Sequence, residues 1–192
     1  MHETAHPPHE LSRYIQVFDG ALSAETCARM VDSFELLKRF HVLNGATRRQ
    51  ELAQSAWTEL DLGPLSDQAF RSMLLGNMLE YLERYNQALS LTIKVPSTHK
   101  TSEWIVKRYR PGGERFQPHF DSVGPVANRY LVFLWYLNEV SEGGETAFVD
   151  LNLSVAPKAG RLLIFPPYWM FQHEGRAPLS GDKYILSSYL LF

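Results

Sequence analysis

TSEWIVKRYRPGGERFQPHFD, residues 101–121, is where the texture of the chain changes and where its fold is decided. β-Branched and aromatic residues crowd Trp104 to Tyr109, Pro111-Gly112-Gly113 interrupts them, and a second run extends from Phe116 to Asp121. Short runs of this kind between Gly and Pro breaks read as strands. The texture continues downstream at Tyr130 to Leu137, Thr146 to Val149, Leu162 to Phe165 and Tyr184 to Phe192, divided by Gly143-Gly144 and Lys158-Ala159-Gly160. That spacing predicts a small barrel or jelly roll over residues 101–192.

Residues 1–100 read as helical instead. Cys27, Met30, Val31, Phe34 and Leu37 recur at steps of three and four, with Ser23 placed to cap the helix they define. After Pro64 and the candidate cap Ser66, a second stripe runs through Phe70, Met73, Leu74, Met78, Tyr81, Leu82 and Tyr85, weakened only slightly by Gly76. Helices followed by strands predict an α+β fold in which the N-terminal helices buttress one sheet face. At 192 residues the two parts are expected to share one core and form a single domain.

Composition excludes several function classes. Apolar residues make up 45% and charged residues 21%, which is globular usage and not that of a disordered or collagenous chain. The formal charge is -2, and no basic block exceeds Arg48-Arg49, so neither nucleic acid nor an anionic membrane is an expected partner. The single cysteine, Cys27, cannot form an internal disulfide and reads as a small core residue in a reducing compartment. The opening MHETAHPPHE has no basic flank or apolar signal core, and its His2, His6 and His9 read as part of a frayed tail. A cytoplasmic protein is expected, its oligomeric state left open.

The chemistry starts at Gln117-Pro118-His119-Phe120-Asp121. On a strand, His119 and Asp121 project from one face while Phe120 points away. An imidazole nitrogen and a carboxylate oxygen suit a divalent metal, and a third ligand from a distant strand leaves coordination positions open. His173, in Gln172-His173-Glu174-Gly175, is the candidate third ligand, 54 residues beyond His119. Ten residues later Lys183 opens the final apolar run, where a lysine is ordinarily a solvated edge residue.

Taken together these pieces resemble the Fe(II)/2-oxoglutarate-dependent dioxygenases, specifically the catalytic domain of prolyl 4-hydroxylases. The likeness runs from Trp104 to the C-terminus through Arg108-Tyr109, Gly113, His119-x-Asp121, Arg129, Tyr136-Leu137-Asn138, Gly143-Gly144-Glu145-Thr146, Pro157-x-x-Gly160, Phe165-Pro166, His173, Pro178 and Gly181-x-Lys183-Tyr184. Two departures stand out: Tyr184 where collagen-type enzymes usually show Trp, and no recognisable separate peptide-binding domain in the first hundred residues.

The resemblance implies a double-stranded β-helix in which His119, Asp121 and His173 hold Fe(II) as a two-His-one-carboxylate triad. It also implies that Lys183 pairs with the distal carboxylate of 2-oxoglutarate, with Tyr136 as a second donor to the cosubstrate. Tyr109 is implied near the chelating end of the cosubstrate, with Tyr130 as its rival, and Ser187 on the same side as Lys183. Arg129 and Trp169 are implied beside the substrate, whereas Glu145 belongs to a turn element. Should Lys183 not be the anchor, Arg108, Arg129 and Arg161 are the remaining candidates.

The implied reaction consumes O2 and 2-oxoglutarate, releases succinate and CO2, and hydroxylates an unactivated C–H, with ascorbate as a candidate reductant. The expected substrate is a prolyl residue in a peptide or protein. The alternatives are a free amino acid or small natural-product intermediate, or a non-catalytic cupin-like module that binds a metal or a dicarboxylate.

Overall fold

The structure, a computed structural model, describes residues 9–192. The tail that carries His2 and His6 lies outside them. Among the described residues are three α-helices, α1 His9–Ser12, α2 Ala24–Leu36 and α3 Gln68–Leu89. The first three strands, β1 Gln16–Phe18, β2 Val42–Gly45 and β3 Ala56–Asp61, come from the N-terminal half. Then follow β4 Ile105–Tyr109, β5 Phe116–His119, β6 Arg129–Tyr136 and β7 Thr146–Phe148. The last four are β8 Leu153–Val155, β9 Leu162–Phe165, β10 His173–Gly175 and β11 Lys183–Leu191.

The strands form two antiparallel sheets. The larger has the order β1-β9-β6-β11-β4-β3-β2 and the smaller the order β5-β10-β7-β8. β6 shows why the larger sheet is a central layer: every residue from Tyr130 to Tyr136 is buried. Leu131, Phe133 and Trp135 pack with Phe34 of α2 and Leu74, Met78 and Tyr85 of α3. Val132, Leu134 and Tyr136 turn the other way, toward Phe148 and Val155 of the smaller sheet. A strand covered on both faces needs apolar residues at both parities, which is why this stretch reads as an unbroken apolar run.

α2 and α3 are each fixed at their start by a capping side chain. Ser23 accepts from the Thr26 amide at 3.1 Å, as its spacing predicted. For α3 the expected cap Ser66 is displaced by its neighbour: the Asp67 carboxylate accepts from the Phe70 amide at 2.8 Å. An ionised cap also suits the positive end of the helix dipole. Asn77 then ties α3 to its surroundings, donating to the Ala21 carbonyl at 2.7 Å and accepting from the Trp135 indole at 3.0 Å.

The N-terminal half is not simply helical, as the sequence reading had it. β1, β2 and β3 complete the edges of the larger sheet, with β3 aligned on β4 (Thr58↔Arg108, Leu60↔Val106) and β1 on β9 (Val17↔Leu163). At three, four and six residues they are too short to stand out as periodic runs. A second correction matters for the site. β5 ends at His119, so Asp121 is not on that strand. It lies just beyond, where the backbone N–H groups of Asp121 and Ser122 both donate to the Pro167 carbonyl at 3.0 Å.

Candidate active site

Two neighbouring strands of the smaller sheet supply the histidines. His119 ends β5, His173 begins β10, and the two are register partners. Their rings lie 4.3 Å apart, and the Asp121 carboxylate sits between them, 3.5 Å from His119 Nε2 and 3.4 Å from His173 Nε2. The candidate ligand atoms of the three side chains all fall within 4.8 Å of one another.

The outer nitrogens decide how the rings are used. His119 Nδ1 lies 2.8 Å from the Gln117 carbonyl, and His173 Nδ1 lies 3.1 Å from the Phe171 carbonyl. A carbonyl can only accept, so each Nδ1 carries a proton and each Nε2 is the ring atom turned inward, toward Asp121 and any metal. This outer-shell arrangement is the one that orients metal-bound histidines. Burial and the charge of His119 push the His173 pKa down to about 4, which leaves a neutral ligand at neutral pH. Burial raises the Asp121 pKa, but the His119 hydrogen bond and the nearby imidazoles outweigh it and hold the carboxyl below its usual range. Two imidazole nitrogens and one carboxylate on one side of a cavity fit a divalent metal such as Fe(II) with coordination positions to spare.

That cavity lies between the two sheets. β11 of the larger sheet sends Lys183, Ile185, Ser187 and Tyr189 into it at every second position. Lys183 is only 1% exposed. Opposite Tyr109 in register, its ammonium is 5.3 Å from the Tyr109 ring centre and 5.8 Å from that of Tyr136. Burial pushes its pKa down to about 7 against the opposing pull of Glu145, and among the described residues no carboxylate forms an ion pair with it. Gly144, at φ +77°, clears a path for the lysine stem, since a Cβ there would meet Lys183 Cδ at 3.4 Å and Pro157 Cγ at 3.3 Å. A buried ammonium without an anion is costly, and an incoming carboxylate relieves that cost.

Residues 104–191 match the family model of the 2OG-Fe(II) oxygenase superfamily. This segment is similar to a 2OG-Fe(II) oxygenase domain. Its donor set and its buried lysine fit the iron and the dicarboxylate of that description. The chain is 36% identical over 85 residues to probable prolyl 4-hydroxylase 11 of Arabidopsis thaliana, covering 39% of this chain and 29% of the relative. It is 29% identical over 118 residues to the prolyl 4-hydroxylase subunit alpha-2 of Gallus gallus, covering 57% of this chain and 18% of the relative. The chain thus spans less than a third of the length of these relatives.

The whole fold is shared more widely. A Pseudomonas putida prolyl-4-hydroxylase superposes with a TM-score of 0.68 at 19% identity, covering 96% of each chain. The viral collagen prolyl hydroxylase of Paramecium Bursaria Chlorella virus-1, solved with 2OG, gives 0.65 at 20% identity over 92% of this chain and 94% of that one. These likenesses establish the double-stranded β-helix with N-terminal buttressing helices.

Within residues 104–191, Tyr109 and Ser187 line the cavity with Lys183 and the triad. Tyr136 does not. Its hydroxyl donates to Thr146 Oγ1 at 2.7 Å and to the Val155 carbonyl at 3.3 Å, and it is Thr146 that faces the cavity. Tyr130, the rival of Tyr109, points to the helical side and donates to the Pro96 carbonyl at 2.7 Å. Arg129 lies over the Tyr189 ring, 3.9 Å from its centre, and reaches the Asp121 carbonyl at 3.4 Å. Trp169 is 64% exposed in the turn Trp169–Phe171 that precedes His173. Of the alternative anion anchors, Arg108 is paired with Glu35 at 2.9 Å and Arg161 with Asp19 at 2.7 Å, so neither is free for the cavity.

Among the cavity residues that the sequence reading missed are Lys107, Phe116, Thr146 and Tyr189. Phe116 stacks on His119 at 3.6 Å and fixes its ring plane. Burial and the Asp121 carboxylate together push the Tyr189 hydroxyl pKa well up, so it stays protonated beside that ligand. Strand parity could have found two of these, because Tyr189 shares the parity of Lys183 on β11 and Lys107 that of Tyr109 on β4.

Proposed function

We propose that this protein is an Fe(II)- and 2-oxoglutarate-dependent dioxygenase that hydroxylates a prolyl residue of a peptide or protein, releasing succinate and CO2. One observation carries the reading: a buried, unpaired lysine lies in the same cavity as a triad that presents two imidazole nitrogens and a carboxylate to one side. When bound, the iron and 2-oxoglutarate supply the oxidising power. The chain's own part is orientation and exclusion. His119 and His173 are held with Nε2 inward by the Gln117 and Phe171 carbonyls. Lys183 is placed to take the distal carboxylate of the cosubstrate and so to set which end reaches the triad. Val132, Leu134, Phe165 and Ile185 line the rest with hydrocarbon and keep water from the reacting centre. On this reading Arg129, over the Tyr189 ring, and the exposed Trp169 meet the substrate.

The relatives named as prolyl 4-hydroxylases favour the prolyl substrate, and one solved neighbour is a prolyl hydroxylase bound to a hypoxia inducible factor peptide fragment. We place the activity in the cytoplasm: Cys27 is buried and free, and among the described residues no helix is long and apolar enough to cross a membrane. The test is mass spectrometry of proline-containing peptides and of free amino acids incubated with Fe(II), O2 and 2-oxoglutarate, with succinate measured in parallel. A gain of 16 Da on a prolyl residue, matched by succinate, is the expected result. The same gain on a free amino acid alone moves the substrate to a small molecule. No 2-oxoglutarate binding at all overturns the reading.

A further inference from the structure

β4 sends two side chains into the cavity, Tyr109 and Lys107, while Val106 and Arg108 face the helices. Tyr109 stands opposite Lys183, and Lys107 stands opposite Ile185. The two lysines therefore sit at successive levels of the cavity wall, one two-residue step apart, or about 6.6 Å along the strand. Lys107 stands close to the triad, because Phe116, whose ring centre lies 5.8 Å from its ammonium, stacks on His119.

Lys107 has no anion of its own. Its ammonium rests over the rings of Trp57 at 5.7 Å and Phe116 at 5.8 Å, a cation–π setting, and Phe116 in turn stacks on His119. Glu59 is its partner in register on β3, which would ordinarily give a cross-strand ion pair. That carboxylate is already taken. Its two oxygens accept from Asn44 Nδ2 at 2.8 Å and from Trp57 Nε1 at 2.7 Å, and among the described residues Lys107 has no ion pair. A cation this close to a divalent metal site is repelled by the metal; the Asp121 carboxylate attracts Lys107 but is shared with the two histidines and the metal, so a further anion beside the triad would be favoured.

We infer that Lys107 is a second carboxylate-binding residue of the cavity, acting on a carboxylate seated beside the triad. This rests on the dioxygenase reading above and deepens it. The carboxylate has two possible sources. A five-carbon diacid joins its ends through four C–C bonds of about 1.5 Å, and with a charge-assisted hydrogen bond of about 2.8 Å at each carboxylate it reaches both lysine levels. On that account Lys183 holds one end of 2-oxoglutarate and Lys107 the other. The second source is a substrate that itself carries a carboxylate.

Titration calorimetry on the protein loaded with Zn(II), which allows binding without turnover, separates these sources. 2-Oxoglutarate is titrated into wild type, Lys107→Met and Lys107→Arg. Met keeps the apolar stem against Trp57 and Phe116, and circular dichroism checks that each variant folds. For the cosubstrate source, Lys107→Met weakens 2-oxoglutarate about tenfold or more and Lys107→Arg recovers most of the loss. For the substrate source, 2-oxoglutarate binding is unchanged, and L-proline binds the 2-oxoglutarate-saturated wild type about tenfold more tightly than L-prolinamide, a preference that Lys107→Met removes. Unchanged 2-oxoglutarate affinity with no preference for the acid over the amide, including no binding of either, overturns the inference and leaves Lys107 as a cation capped by two rings. Failure of wild type to bind 2-oxoglutarate would instead overturn the dioxygenase reading.

Discussion

At the scale of single residues, Lys183 carries the sharpest expectations. Removing it as Lys183→Ala should leave the distal carboxylate unpaired in a buried pocket, a loss of about 3–5 kcal/mol and roughly a hundredfold or more in 2-oxoglutarate affinity. Lys183→Arg should recover part of it, since the charge remains while reach and fork geometry change. Calorimetry on Zn(II)-loaded protein reads both, and metal affinity should be unaffected because Lys183 is not one of the triad. The lysine also sets a pH dependence. With its pKa pushed down to about 7 by burial, the empty site loses the proton that a carboxylate requires as pH rises above that value. The 2-oxoglutarate affinity of wild type should therefore be level below about pH 7 and weaken above it, while Lys183→Arg stays flat to far higher pH. Stability of the ligand-free protein should move oppositely. Between about pH 7 and the ordinary lysine value the unfolded chain binds the extra proton, so denaturant midpoints should rise across that interval.

Elements hold these residues in place, and their legibility in the sequence was uneven. The jelly-roll half was readable because β9, and β6 beyond Arg129, are buried on both faces and are continuously apolar. The candidate metal ligands were readable because a His-x-Asp step followed by a later His is a pattern visible in the sequence. The geometry inferred for that step was not right: β5 stops at His119, and a pair of hydrogen bonds to the Pro167 carbonyl brings Asp121 round, a long-range contact that no local pattern encodes. The edge strands β1 to β3 were missed because so few residues cannot display a period. Lys107 was missed because a lysine on a strand ordinarily faces solvent. One turn has a testable role. Gly160, at φ +76°, accepts from the Ala21 amide at 2.8 Å and donates to the Tyr136 carbonyl at 2.9 Å, and a Cβ there would lie 2.2 Å from the Leu22 carbonyl oxygen. Gly160→Ala should thus cost on the order of 2–4 kcal/mol, from the left-handed backbone and the clash together. Urea denaturation of the two proteins would measure it.

Over the whole molecule, the site draws its parts from both sheets: the triad on or beside the smaller, and Lys183, Tyr109 and Ser187 on the larger. Binding to that junction should stabilise the folded protein as a unit. A ligand at a hundred times its dissociation constant adds about 2.7 kcal/mol. In thermal melts, Zn(II) and then 2-oxoglutarate should each raise the midpoint of wild type. Lys183→Ala should keep the first increment and lose the second, and His173→Ala should lose both. The smaller sheet is the weaker partner in this junction. β10 has only three residues, and its pairing with β5 slips between His173 and Gly175, while β6 and β11 share a long ladder. A metal ion joining His119 to His173 would clasp the strands where the ladder is sparse. Amide hydrogen exchange should therefore split the metal-free protein into two rates, slow through β6, β9 and β11 and fast through β5 and β10, and loading the metal should draw the fast set toward the slow one.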